Sequence, residues 1–239
     1  MKLLSVNNDA KTSKGNASGY LTGILYLAPS NEADGKRDIC PHASAGCRSA
    51  CLFSAGRGKF SNVKSARINK TLRFFDDPKG FVELLEADII SLLRKAEREG
   101  LTPCVRLNGT SDLPWESLGG EKRMSLMNRF PHVQFYDYTK NPQRAVRYAE
   151  GKMPSNYHLT FSKSECNDSA VETVLRLGGN VAMVFNTKKA QDLPNYYADT
   201  RVVDGDLTDV RFNDPVGSIV GLRAKGDATK DTSGFTIQL

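Results

Sequence analysis

The sequence predicts a parallel α/β fold, a partial or complete TIM-like (βα) barrel of about 6–8 strands with residues 1–239 as a single domain. Three observations lead there. Short apolar runs recur at intervals of about 20–35 residues, with helical or loop segments between them, as strand–helix units of a parallel sheet require. The composition is ordinary for a globular chain, 39% hydrophobic and 25% charged, and 239 residues suffice for a barrel-sized core without disulfides. Each apolar run also ends in polar side chains, where a parallel barrel gathers its active site. An open doubly wound sheet is the alternative that shares these features.

Taken in order, residues 1–19 are polar and rich in Asn, Lys, Ser and Gly, and 7–18 reads as an arm or a loop over a site, with disorder as the alternative. The first core strand, Gly23-Ile24-Leu25-Tyr26-Leu27-Ala28, is halted by Pro29. A Gly/Pro/Ser/Cys loop fills 29–58, and structureless loops of that length are uncommon unless functional. Ser61 caps a helix that carries Ala66, Ile68, Leu72 and Phe75. Asp76-Asp77-Pro78 opens a second, in which Phe81, Leu85, Ile89, Leu92, Leu93 and Ala96 keep helical spacing until Gly100. Further strands are expected at Pro103 to Leu107, Val133 to Tyr136, Tyr157 to Phe161, Val181 to Phe185, Arg201 to Val203 and Ile219 to Leu222. Helices from Asn141-Pro142 to Glu150 and from Asn167 to Leu177 fit between them. No linker divides the chain.

The strand ends supply the candidate site. Asn108-Gly109-Thr110-Ser111-Asp112 follows the second strand, and Asp137-Tyr138-Thr139-Lys140 the third. Ser162-Lys163-Ser164-Glu165 and Asn186-Thr187-Lys188 follow the next two. Asp204-Gly205-Asp206 with Asp209, and Arg223-Ala224-Lys225-Gly226, close the series. One such run is explained by turn chemistry alone. Repetition after every strand points to a shared rim.

The 29–58 loop contains Cys40-Pro41-His42-Ala43-Ser44-Ala45-Gly46-Cys47-Arg48-Ser49-Ala50-Cys51, a C-x6-C-x3-C spacing. Thiolates are soft ligands for zinc and for iron–sulfur iron. Three readings stay open: buried cysteines packed as small hydrophobes, a structural zinc with His42 completing the set, and a [4Fe–4S] cluster on Cys40, Cys47 and Cys51 with one iron open to a ligand. Cys104 and Cys166 read as incidental, or as a fourth ligand.

A formal net charge of +6 and a pI near 9.0 favour polyanionic partners such as nucleic acid or nucleotides. Lys59, Lys64, Arg67, Lys70 and Arg73 form a candidate phosphate-binding face, with a solvated helix surface as the plainer alternative. No apolar run of about 18 residues predicts a membrane span. The N-terminus shows no signal-peptide core, so a cytoplasmic location is expected.

The run from Cys40 to Gly58, with Val105 to Asp112, Phe135 to Lys140 and Asn156 to Ser162, resembles the bacteriophage gene product 88 family over most of the chain. That implies a phage protein in the host cytoplasm. The layout also resembles radical S-adenosylmethionine (SAM) enzymes, in which three cysteines follow the first strand of a partial barrel. The cysteine spacing differs from the usual C-x3-C-x2-C, and the second-strand motif lacks Gly-Gly-Glu. The resemblance implies an open iron that chelates SAM, whose reductive cleavage yields a radical that abstracts hydrogen from substrate. Asn108, Gly109, Ser111 and Asp112 would meet the methionine amine, and Ser162, Ser164 and Glu165 the ribose. Asp112, Tyr138, Asp204, Asp206 and Lys225 are the residues expected to act on a nucleotide or DNA-base substrate, which in a duplex must first be flipped out. An electron donor is also implied.

Two rivals carry other expectations. A zinc-stabilised nucleic-acid-binding protein needs no catalysis, and leaves the acidic rim unexplained. A barrel hydrolase or glycosyl-transferring enzyme would use Asp112 and Asp204 as its carboxylate pair. The sequence holds no Walker P-loop, no G-x-G-x-x-G fingerprint and no G-x-S-x-G elbow.

Overall fold

The computed structural model describes residues 1–7, 16–118, 124–187 and 193–239. Most of the expected arm, and Lys188, lie outside them. Among the described residues the protein is mixed α/β with a 10-stranded, mostly parallel sheet. The strands are β1 Leu4–Val6, β2 Tyr20–Leu25, β3 Thr102–Arg106, β4 Gln134–Thr139, β5 Tyr157–Ser162, β6 Val181–Phe185, β7 Tyr196–Tyr197, β8 Thr200–Asp204, β9 Ile219–Arg223 and β10 Thr236–Ile237. The α-helices are α1 Ala45–Ser49, α2 Ser61–Asp76, α3 Pro78–Glu99, α4 Leu126–Arg129, α5 Pro142–Ala149 and α6 Asp168–Arg176.

The strand order is β1-β2-β3-β4-β5-β6-β9-β8-β7, with β10 beside β6. Parallel pairings join β2 to β3, β3 to β4, β5 to β6, β6 to β9 and β9 to β8, whereas β1–β2 and β7–β8 are antiparallel. This order does not close, so a complete barrel is not what forms. The strands the sequence reading lacked, β1, β7 and β10, have 3, 2 and 2 residues, too few for a period-2 pattern to register.

Two compact units interleave along the chain. The first comprises Met1–Cys40, Ser61–Asp137 and Pro154–His158, and the second Pro41–Phe60, Tyr138–Met153 and Leu159–Leu239. β4 and β5 each contribute residues to both.

In the first unit, β2 lies between β1 and β3, with Gly23 opposite both Val6 and Val105. The polar N-terminal segment therefore carries an edge strand just ahead of the expected arm. The Leu3 and Leu4 amides donate to Asp88 Oδ2 at 2.6 and 2.9 Å, which secures it to α3. On α3, Phe81, Leu85, Ile89, Leu92 and Ala96 are buried along one stripe. Full burial of each large apolar side chain contributes about 1.5–3 kcal/mol. Trp115 is fully buried and packs on Phe74 and Phe81. The Asp77 side chain caps α3 by accepting from the Gly80 amide, and Gly100 ends it at φ +64°. A Cβ at Gly100 meets nothing within 4 Å, so only backbone strain opposes one there. Gly100→Ala is expected to cost about 1 kcal/mol and lower the thermal midpoint by about 2–4 °C in differential scanning calorimetry.

In the second unit, β6 is the central strand, with its register set by Phe161↔Val181 on one side and Val181↔Ile219 on the other. β10 pairs parallel with the end of β6 through Thr236↔Val184 and Ile237↔Phe185. Ala145, Phe161, Val171, Val174, Phe185 and Ile219 form a buried cluster that joins α5 and α6 to these strands. Arg211 is fully buried here, and Asp214 lies 3.2 Å from its Nη1.

Candidate functional site

The loop after β3, in the first unit, is held by its own side chains. Asn108 is buried. Its Oδ1 accepts from Ser111 Oγ at 2.8 Å and the Leu113 amide at 2.9 Å, and its Nδ2 donates to Leu113 O at 2.9 Å. Beneath it Asp137 is fully buried and accepts from the Asn108 amide at 2.6 Å, Asn108 Nδ2 at 3.3 Å and Tyr157 Oη at 3.1 Å. Gly109 allows close backbone approach: a Cβ there would lie 2.7 Å from Leu25 O and 2.7 Å from Tyr26 Cδ1. Asn108 and Gly109 thus shape the loop, while Ser111 and Asp112 stay half-buried. The Asp112 amide donates to Ile39 O at 2.9 Å. Cys40 is buried, with its amide on Asp38 Oδ1 at 2.7 Å and its Sγ donating to Thr110 O at 3.8 Å.

The rest of the cysteine loop belongs to the second unit, where the expected structureless segment contains α1 and short 3-10 turns at Leu52–Ser54 and Gly56–Lys59. Ser44 caps α1 by accepting from the Cys47 amide at 3.2 Å. The same hydroxyl donates to Glu165 Oε2 at 2.6 Å, and the Gly46 amide donates to Glu165 Oε1 at 2.7 Å. Burial tends to raise the Glu165 pKa, but these two bonds and the Lys140 charge leave it lowered. Lys140 Nζ donates to Ser162 Oγ at 2.8 Å and Lys163 O at 3.0 Å, and stands 4.9 Å from the centre of the Phe235 ring. Burial pushes the Cys47 thiol up, and Lys140 only partly offsets this. Metal binding there would have to displace the thiol proton. Ser164 is buried, with its amide on Asn167 Oδ1 at 2.8 Å.

At the ends of β8 and β9 the acidic residues are paired. Arg223 Nη1 lies 3.0 and 2.9 Å from the two oxygens of Asp204 and 3.3 Å from Asp206 Oδ2. Lys225 Nζ donates to Asp206 Oδ1 at 2.5 Å. Burial acts to raise the Asp206 pKa, but bonds from Lys225 and Arg223 hold it below the ordinary value. Asp204, Asp206 and Lys225 form a charge-balanced network with Arg223. Tyr138 is half-buried on β4.

No cysteine is in a disulfide. Among the described residues no three His, Cys, Asp or Glu side chains are grouped to hold a metal ion. The donor chemistry of Cys40, Cys47 and Cys51 suits zinc or iron. Cys104 is a core residue, fully buried with its sulfur 3.2 Å from Thr22 Oγ1.

Three members of the expected basic face are engaged within the first unit. Lys70 Nζ donates to Leu3 O at 2.7 Å, Arg67 lies over the Tyr26 ring at 4.8 Å, and Arg73 is 3.9 Å from Asp77. Among the described residues no helix is long and apolar enough to cross a membrane.

Lys140 and Ser44 stand beside the candidate residues in sequence, whereas Phe235 is marked there only by the Phe235-Thr236-Ile237 alternation near the C-terminus.

The profile of a family described as Gene product 88 matches residues 2–239. No curated protein and no solved structure matches the chain.

Proposed function

The chain belongs to the gene product 88 family, and we propose that it is an iron–sulfur enzyme of the radical SAM kind acting on a nucleotide or a nucleic-acid base. The observation that carries this reading is the strand order. β2, β3, β4, β5 and β6 lie side by side in chain order, as the first strands of a partial (βα) barrel would, and the cysteine loop directly follows the first of them. The spacing of Cys40, Cys47 and Cys51 supplies three soft ligands from one segment. Metal binding by these thiols would release their protons and couple to ordering of the loop. The net charge of +6 favours a phosphate-bearing substrate.

The test is anaerobic purification followed by metal and sulfide analysis. Brown protein with about four irons and matching sulfide per chain is the expected result, and Cys47→Ala should lose the metal while the far-ultraviolet circular dichroism stays that of the wild type. Stoichiometric zinc would replace this reading with that of a zinc-stabilised nucleic-acid-binding protein. A chain that stays metal-free after reconstitution with iron and sulfide would overturn both.

A further inference from the structure

We infer that Glu165 is the positioning residue for Cys47, fastening the cysteine loop from the end of β5 rather than contacting a cofactor ribose. The bonding is specific. The carboxylate takes one bond from Ser44 Oγ at 2.6 Å and one from the Gly46 amide at 2.7 Å, residues 121 and 119 positions earlier. Because the Ser44 hydroxyl gives its proton to Glu165, its lone pair is left for the Cys47 amide, which donates to it at 3.2 Å. Glu165 thus reaches Cys47 through one hydroxyl, and the amide before Cys47 is bound directly.

The C-terminal segment closes the other side of this turn. A Cβ on Gly46 would collide with Ser233 Oγ, and would lie 2.7 Å from Phe235 Cβ and 2.9 Å from Glu165 Oε2. Only glycine fits between the carboxylate and the β10 segment. That segment is itself tied down: Asp231 Oδ2 accepts from the Thr236 amide at 2.9 Å and from Thr236 Oγ1 at 3.1 Å. Phe235 also lies under Lys140, the cation that acts on both Cys47 and Glu165. With both oxygens of Glu165 engaged inside the protein, its carboxylate serves the loop.

The test uses the metal-free full-length chain, so its outcome is separate from that of the iron–sulfur reading. Cys47 alkylation by iodoacetamide is followed by peptide mass spectrometry, with hydrogen exchange at the Gly46 and Cys47 amides, in wild type, Glu165→Ala and Glu165→Gln. Glu165→Ala should accelerate both readouts at least about tenfold, the factor expected for a lost charged hydrogen bond. Buried Cys104 should stay as slow as before. Glu165→Gln keeps an oxygen for Gly46 and an amide that can pair with Ser44, and should restore most of the protection. If the alanine variant does not fold, Ser44→Ala, which removes the relay alone, should accelerate Cys47 by a smaller factor. Unchanged Cys47 labelling in the alanine variants, or identical behaviour of the alanine and glutamine variants, would overturn the assignment.

Discussion

Asp137→Ala is expected to destabilise the protein by about 3–5 kcal/mol, seen as a large drop in its urea midpoint. The carboxylate is fully buried and accepts from the Asn108 amide, Asn108 Nδ2 and Tyr157 Oη. Alanine removes the acceptor of all three bonds, and a buried donor left unsatisfied costs about 1–3 kcal/mol. Asn108 also fixes the turn through Ser111 and Leu113, so the damage spreads along the loop after β3. Asp137→Asn keeps the shape and one acceptor, and should fall between wild type and alanine. A loss below about 1 kcal/mol in the alanine variant would show that the carboxylate does not organise this loop.

Arg211→Met should cost a similar amount, about 3–5 kcal/mol near neutral pH, and the loss should shrink in acid. Arg211 is fully buried with Asp214 at 3.2 Å. The contact is off hydrogen-bond geometry, so the attraction is Coulombic. Burial pushes the Asp214 pKa above its ordinary 3.8, Arg211 pulls it down, and Asp209 pushes it up. A raised carboxyl stabilises the fold fully below its unfolded pKa and loses that contribution as pH rises through the folded value. Without Arg211 the folded value climbs further, so the penalty grows from pH 3.8 toward neutrality. Urea midpoints of wild type and variant across that range check the point. A penalty independent of pH would assign the role of Arg211 to packing and to the bond its Nη2 donates to Thr208 O.

What the sequence made legible follows from which forces are local. β6 appears as read, Val181–Phe185, because five consecutive apolar residues between polar flanks admit few alternatives. α3 was legible from the Asp77 cap, the stripe from Phe81 to Ala96 and the left-handed Gly100, all of which act within a turn or two of the chain. Arg223 illustrates the opposite case. Its partners Asp204 and Asp206 lie 19 and 17 residues away on another strand end, so three residues read as separate candidates form one ion network. Glu165 was singled out by its place after β5, but its partners Ser44 and Gly46 are more than a hundred positions distant. Position after a strand identifies a rim residue; whether it faces substrate or neighbouring chain depends on contacts that no periodicity encodes.

The interleaving of the two units also sets an order of events during synthesis. The first unit lacks its last piece until Pro154–His158 has been made, by which time Pro41–Phe60 and Tyr138–Met153 of the second already exist. The second in turn waits for Leu159–Leu239. No single cut releases either as a contiguous fragment. Distant segments must find one another before either core shuts, the condition under which folding is slow and the nascent chain most needs shielding from its neighbours.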